Sequence, residues 1–132
     1  MKITVDTNIL VRAVLGDDQE QAKAAAKLLR EATLIAVPLP CLCELVWVLK
    51  RGAGLATADI SRAIAALANA ENVVMNRPAV EAGLAMLAAG GDFADGVIAH
   101  EGQWLGGEMF VSFDKAAVRL LKEQGQSAKL LR

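Results

Sequence analysis

The sequence has one histidine and two cysteines, too few for several kinds of site. A nucleophilic triad would have to pair His100 with a serine that no motif singles out. Cys41 and Cys43 are separated by one residue, so a bridge between them is sterically awkward, and no second pair exists to complete a zinc site. We therefore expect neither a nucleophilic triad nor a zinc site. The cysteines are predicted to be core thiols in a reducing compartment, and His100 is predicted to be a packing or rim residue.

Long hydrophobic runs are also missing, although 55% of the residues are hydrophobic and the mean hydropathy is +0.38. No run reaches the roughly 18 apolar residues that span a bilayer. Asp6 interrupts the first apolar run and no small-residue cleavage site follows, so no signal peptide is predicted. We expect a cytoplasmic protein with no membrane association. The apolar excess favours an oligomer or a stable partner.

Neither sign of charge dominates, because 14 basic residues face 15 acidic ones and the net charge is −1. Proteins that bind nucleic acid by electrostatics alone usually carry a strongly basic face. This balance argues against such a binder unless bound cations supply the missing positive charge. The glycine pairs also lack the lysine and the preceding strand of a phosphate-binding G-x-x-x-x-G-K-S/T loop.

No repeat, low-complexity tract or linker interrupts the 132 residues, so a single domain over 1–132 is predicted. Short β-rich runs alternate with helical patterns, which predicts a central parallel sheet of four to five strands flanked by helices. The first strand is expected inside that sheet. The predicted strands are an opening run ending at Asp6, 33–37, 72–76, 109–113 and 128–131. The predicted helices begin near Asn8, Asp17-Asp18, Pro40, Thr57 or Asp59, Pro78, Asp92 and Asp114.

Acidic residues stand where strands or loops lead into helices. Asp6 follows the first strand, Asp92 and Asp95 form a D-x-x-D at the start of a helix, and Asp114 follows the fourth strand. Each has an ordinary explanation as a helix cap or a first-turn charge. The carboxyl ends of parallel strands are also where α/β enzymes keep their ligand groups. Both interpretations remain open for each acid.

Glu44 differs from the other acids because it lies within an apolar helical stretch, Cys41–Leu49. With no polar stripe to join, it is predicted to be a buried carboxylate. Such a group needs a basic partner or a bound metal. If it joins the other acids, the cluster requires cations, and its oxygen ligands favour Mg²⁺ or Mn²⁺ over zinc.

Four segments together resemble the PIN-domain ribonucleases, and among them the VapC-type toxins of bacterial toxin–antitoxin modules. The segments are Val5–Leu10, Glu44-Leu45, Asp92–Ala99 and Ser112–Lys115. Their order and spacing fit over essentially the whole chain, which implies a three-layer α/β fold. The positions that match the acidic quartet are Asp6, Glu44, Asp95 and Asp114, with Asp92 as an additional acid and Asn8 and Ser112 as supporting polar residues.

Two positions depart from the pattern of the family. Ser112 replaces a common threonine and keeps the hydroxyl. Gly96 replaces a common alanine, which is expected to weaken the start of its helix slightly without touching a ligand.

The resemblance implies a Mg²⁺-dependent endoribonuclease, with Mn²⁺ as a possible substitute. The acids would hold one or two metal ions, and a metal-activated water would hydrolyse an RNA phosphodiester bond. It also implies an antitoxin partner and a homodimer. Basic residues are candidates for contacts with flanking phosphates: Arg12, Lys50, Arg51 and Lys115. Trp47 is expected in the core rather than at a partner surface, and Trp104 is undecided between the two.

Two other functions remain as alternatives. A PIN scaffold that has lost activity would serve only as a binding module, although every acidic position is filled here. A phosphoaspartyl-type phosphatase also places an aspartate after its first strand. That enzyme needs a second acid two positions later, where this chain has Asn8.

Overall fold

The computed structural model describes residues 1–132, which form two compact units, 1–76 and 77–132. The single domain over 1–132 stays a prediction. No helix has the length and apolar character needed to cross a membrane. The first unit contains β1 (Lys2–Thr4), α1 (Thr7–Leu15), α2 (Gln19–Glu31), β2 (Leu34–Ala36), α3 (Leu39–Trp47), α4 (Thr57–Asn69) and β3 (Val73–Val74).

The three strands of the first unit form a parallel sheet in the order β1-β2-β3. Ile35 of β2 lies opposite Ile3 on one side and Val73 on the other, and it is fully buried. The central strand is therefore β2. The prediction that β1 lies inside its sheet is wrong for this unit, because β1 pairs only with β2 and occupies an edge.

Helices α1 and α2 form a tight pair because a glycine and an aspartate define the turn between them. Gly16 ends α1 in a left-handed conformation, with φ of 64°, that suits glycine. Asp18 then caps α2 by accepting a hydrogen bond from the backbone N–H of Gln21 at 3.1 Å. These local signals place the beginning of α2 close to its predicted position.

Helix α3 is amphipathic despite its apolar composition. Leu42, Leu45 and Val46 are buried at helical spacing, whereas Glu44 and Trp47 are exposed. The helix passes into a π-helical turn over Val48–Gly52, where an α-helix was predicted to continue. The prediction of Trp47 as a core residue is wrong, since 65% of its surface is exposed.

The second unit contains two parallel strands and three helices. They are α5 (Arg77–Ala88), α6 (Phe93–Trp104), β4 (Phe110–Ser112), α7 (Lys115–Glu123) and β5 (Ala128–Leu130). Strands β4 and β5 pair in parallel, with Phe110 opposite Ala128. The prediction of a mixed α/β fold with parallel strands is confirmed, and hydrogen bonding groups the five strands as three and two. One cluster of buried apolar residues in this unit comprises Met86, Ala99, Val118, Leu120, Leu121 and Ala128.

Helices α5 and α6 approach each other closely because each helix has a glycine at the contact, Gly83 on α5 and Gly96 on α6. A Cβ on Gly96 would lie 2.4 Å from the carbonyl oxygen of Ala82 and 2.9 Å from the Cα of Gly83. A Cβ on Gly83 would lie 2.7 Å from the buried ring of Phe93. Gly96 was expected to weaken the helix start slightly, and that expectation did not include this packing contact. The close helix contact requires glycine at this position, and it fixes the beginning of α6 against α5.

Candidate active site

Asp6 lies directly before α1 and serves as its N-cap. Its Oδ1 accepts a hydrogen bond from the backbone N–H of Ile9 at 3.2 Å. The side chain is exposed, and its second oxygen has no hydrogen-bond partner. The capping interpretation is therefore correct, and it leaves one carboxylate oxygen available to a ligand.

Glu44 is exposed, so the prediction of a buried carboxylate is wrong. The buried side chains Leu42, Leu45 and Val46 lie on one face of α3, and Glu44 lies on the exposed side. Its Oε2 accepts a hydrogen bond from the hydroxyl of Thr7 at 3.0 Å. Thr7 immediately follows Asp6, so the segment after β1 and the outer side of α3 are joined within the first unit.

Thr7 is a candidate site residue that sequence reasoning missed. The signal was its place between Asp6 and Asn8 in the first motif, but nothing local shows that its hydroxyl reaches a residue 37 positions away. Asn8, predicted as a supporting polar residue, is exposed and forms no side-chain hydrogen bond. It lines a groove beside Asp6 instead.

Asp92 and Asp95 lie together at the beginning of α6. Asp92 is the N-cap, and its Oδ1 accepts a hydrogen bond from the backbone N–H of Ala94 at 3.1 Å. Asp95 occupies the first turn and is half-buried. Burial raises the pKa of Asp95 above its usual value of 3.8, and the negative charges of Asp92 and Asp114 raise it further.

Asp114 caps α7 directly after β4. Its Oδ1 accepts a hydrogen bond from the backbone N–H of Ala117 at 3.1 Å. The backbone N–H of Asp114 itself donates to the hydroxyl oxygen of Ser112 at 3.0 Å. Ser112 therefore holds the backbone of Asp114 in place, and its supporting role at the site stays a prediction.

The three aspartates of the second unit fit a divalent cation by their chemistry. They offer only oxygen ligands, which Mg²⁺ and Mn²⁺ prefer. The negative charges of Asp92 and Asp114 raise the pKa of Asp95, and a bound cation would offset this repulsion. In neither unit, however, do three or more histidine, cysteine or acidic side chains converge closely enough to hold a metal. The aspartates are near enough to repel one another but do not form a closed ligand cage.

The remaining predicted residues take varied positions. Arg12 forms a salt bridge with Asp17 at 3.1 Å, whereas the other candidate cations for phosphate are exposed: Lys50, Arg51 and Lys115. His100 is partly buried, and its Nε2 is buried without a hydrogen-bond partner. Trp104 is 76% exposed.

The two cysteines are only half-buried, so their description as core thiols is wrong. The thiol of Cys41 donates to the carbonyl oxygen of Val5 at 3.4 Å. That contact attaches the beginning of α3 to the residue before Asp6 and gives Cys41 a structural part.

Comparison with known proteins identifies the family. The model of the PIN domain matches residues 3–122, which includes every acid discussed above. No curated protein and no solved structure matches the chain. PIN domains are generally nucleases and typically use divalent metals. Because the match covers most of the sequence, the chain belongs to the PIN domain family.

Proposed function

We propose that this PIN domain is a Mg²⁺-dependent endoribonuclease that hydrolyses RNA phosphodiester bonds. Its ligand set would be Asp6, Glu44, Asp95 and Asp114, with Asp92 as an additional acid. The observation that carries the proposal is the position of these acids. Asp6 and Asp114 each follow a strand and cap a helix, Asp95 lies in the first turn of α6, and Glu44 lies on the exposed side of α3. Each capping aspartate has one carboxylate oxygen outside the cap hydrogen bond.

The protein's own contribution is to hold these oxygens in place. Thr7 orients Glu44, and Ser112 anchors the backbone of Asp114. The helix caps restrict the rotation of the capping carboxylates. Mg²⁺, or Mn²⁺ in its place, would make an attacking water more acidic and offset the charge that develops on the phosphate. Bound cations would also explain how a chain with a net charge of −1 attracts RNA.

A comparison of two helix caps tests the role of Asp6. Asp6→Asn and Asp18→Asn each replace an N-cap aspartate with a residue that also caps. We expect divalent-dependent cleavage of single-stranded RNA to fall at least about a hundredfold in Asp6→Asn and to stay unchanged in Asp18→Asn. Equal activity in the two variants, with both folded, would overturn the assignment of Asp6.

The second unit offers a similar pair on α6. Asp95→Asn should abolish cleavage, whereas Glu101→Gln, an exposed acid on the same helix, should not. Wild-type protein that leaves RNA uncut with Mg²⁺ or Mn²⁺ would favour the inactive binding module. Covalent labelling of Asp6 by a phosphate mimic would favour the phosphatase.

We further propose that the enzyme is the toxin of a toxin–antitoxin pair, acts in the cytoplasm, and forms a homodimer that a cognate antitoxin inhibits. Exposed apolar side chains support a protein partner, notably Trp47, Ile98, Trp104, Leu105, Met109 and Phe113.

Brief expression should arrest growth and produce new RNA ends at defined sites, and sequencing those ends would identify the target. Light scattering should give twice the mass of one chain. An upstream gene for a small DNA-binding protein should supply the antitoxin.

A further inference from the structure

A groove of about 490 Å³ lies between α1 and α2, and Asp6 stands in its wall. This volume falls within the range of about 300–1,000 Å³ for small-ligand sites. Its walls combine apolar and polar side chains: Asp6, Asn8, Ile9, Arg12, Gln21, Ala24, Ala25 and Leu28.

Small residues at helical spacing create the space. Ala24 and Ala25 lie three and four positions after Gln21 on α2, and their methyl groups leave room where larger side chains would fill the groove. Ile9 from α1 and Leu28 from α2 add apolar surface that is only half-buried. The groove therefore offers a flat apolar contact area beside polar groups.

The polar groups have a defined orientation because Arg12 is held at both ends of its guanidinium. Its Nη1 donates to the carboxylate oxygens of Asp17 at 3.1 and 3.2 Å, and its Nε donates to Oε1 of Gln21 at 2.7 Å. The Nε–H of Arg12 can donate only to the oxygen of the Gln21 amide, so this bond identifies which of the two amide atoms is the oxygen. The NH₂ group of Gln21 has no partner within the chain and remains a free donor.

This arrangement suits a neutral planar ligand better than a phosphate. The charge of Arg12 is already offset by Asp17, and the carboxylate of Asp6 adds a negative charge to the lining of the metal-free groove. A nucleobase has an apolar face for Ile9 and Leu28 and a polar edge for an amide donor. No aromatic side chain lines the groove, so recognition would come from hydrogen bonding rather than stacking.

We propose that the groove is a subsite for one nucleobase of the RNA, next to the scissile phosphate, and that Gln21 selects the base. The placement beside the phosphate rests on the proposed function, because Asp6 belongs to both sites. The free NH₂ of Gln21 requires an acceptor, so a base with a carbonyl at C4 of a pyrimidine or C6 of a purine, uracil or guanine, is preferred over one with an amine at that position, cytosine or adenine. One such hydrogen bond corresponds to about a fivefold preference.

Nucleosides test the groove without catalysis. Uridine carries a carbonyl where cytidine carries an amine, and inosine carries a carbonyl where adenosine carries an amine. Methyl NMR of Ile9 and Leu28 in metal-free protein should show shifts with all four, and about fivefold tighter binding of uridine and inosine. Unmoved methyl signals would overturn the proposal, and would leave a peptide as the occupant to examine.

A pair of substitutions then tests Gln21. Gln21→Glu keeps an oxygen for Arg12 but loses the donor, whereas Gln19→Glu makes the same change at an exposed position outside the groove. The uridine preference should disappear in Gln21→Glu and persist in Gln19→Glu. A preference that persists in both would overturn the role of Gln21.

RNA cleavage separates this inference from the proposed function. In a library of random sequence, wild-type cuts should favour uracil or guanine at one position beside the cut, and Gln21→Glu should lose that bias while still cutting. Ala24→Leu, a substitution at an exposed helical position, should fill the groove and raise KM more than it lowers kcat.

If nucleosides bind as expected but wild-type protein cuts no RNA, the proposed function fails and the base-binding groove stands. If the base bias is identical in wild type and Gln21→Glu, the subsite fails and the nuclease stands.

Discussion

The hydroxyl of Thr7 donates a hydrogen bond to Oε2 of Glu44 at 3.0 Å. This contact joins the first residue of α1 to the exposed side of α3, 37 residues later in the chain. An exposed glutamate on a helix ordinarily samples several rotamers. The Thr7 bond restricts that freedom and holds one carboxylate oxygen in the direction of the segment that carries Asp6.

Removing this hydroxyl should affect activity more than stability. Thr7→Val keeps the shape of the side chain and loses the donor, whereas Thr7→Ser keeps the donor. We expect RNA cleavage in Thr7→Val to fall about tenfold, as for other residues that orient metal ligands. The melting temperature should change little because the bond is exposed. Near wild-type cleavage in Thr7→Val, measured at several Mg²⁺ concentrations, would show that Glu44 needs no such support.

Asp95 should lower the stability of the metal-free protein as the pH rises. Burial, then the charges of Asp92 and Asp114, raises its pKa in the folded state, so the folded protein binds the proton more tightly than the unfolded chain does. Its contribution is therefore most favourable below the unfolded pKa of about 3.8, declines as pH rises through the window up to the raised pKa, and stays unfavourable at neutral pH.

Asp95→Asn should accordingly raise the melting temperature at pH 7 without metal, and the gain should shrink as the pH is lowered toward 4. Glu101→Gln, on an exposed part of α6, serves as the control and should show no such trend. Thermal unfolding in a pH series measures both. A melting temperature that falls in Asp95→Asn at pH 7 would contradict the assigned direction.

Two glycines on α6 should respond to alanine in opposite ways. Gly96→Ala places a methyl group 2.4 Å from the carbonyl oxygen of Ala82, so the helices must separate, which costs about 1–3 kcal/mol in the free energy of unfolding. Gly102 has nothing within 4 Å of a new Cβ. Gly102→Ala should therefore stabilise the protein by up to about 1 kcal/mol through helix propensity. Denaturant unfolding of the two variants measures the contrast, and equal effects would refute the close contact of α5 and α6.

Ser112 should support Asp114 through its oxygen. Ser112→Ala removes the acceptor for the backbone N–H of Asp114, with an expected cost of about 0.5–1.5 kcal/mol and a loss of about tenfold in cleavage. Ser112→Thr retains the hydroxyl and should keep both properties. Chemical denaturation and initial rates on one RNA substrate test the pair. An active and stable Ser112→Ala would leave Ser112 without a supporting role.

Local signals in the sequence accounted for much of the secondary structure. Asp17-Asp18, Asp92 and Asp114 were predicted to begin helices. In the structure Asp18, Asp92 and Asp114 each accept a hydrogen bond from the backbone N–H two or three residues later. Such bonds form between close neighbours in the chain, so residue type and order are enough to predict them. The same reasoning gave the cap interpretation of Asp6, whose Oδ1 accepts a hydrogen bond from the backbone N–H of Ile9.

The tertiary structure alone decided which side of each element meets the core. The composition of α3 suggested a buried Glu44, yet the packing of Leu42, Leu45 and Val46 leaves Glu44 and Trp47 exposed. Composition gives the number of apolar residues in a helix but not the direction from which its neighbours approach. For the same reason the partner of Thr7, the edge position of β1 and the need for glycine at position 96 depend on contacts between distant segments, which only the folded chain brings together.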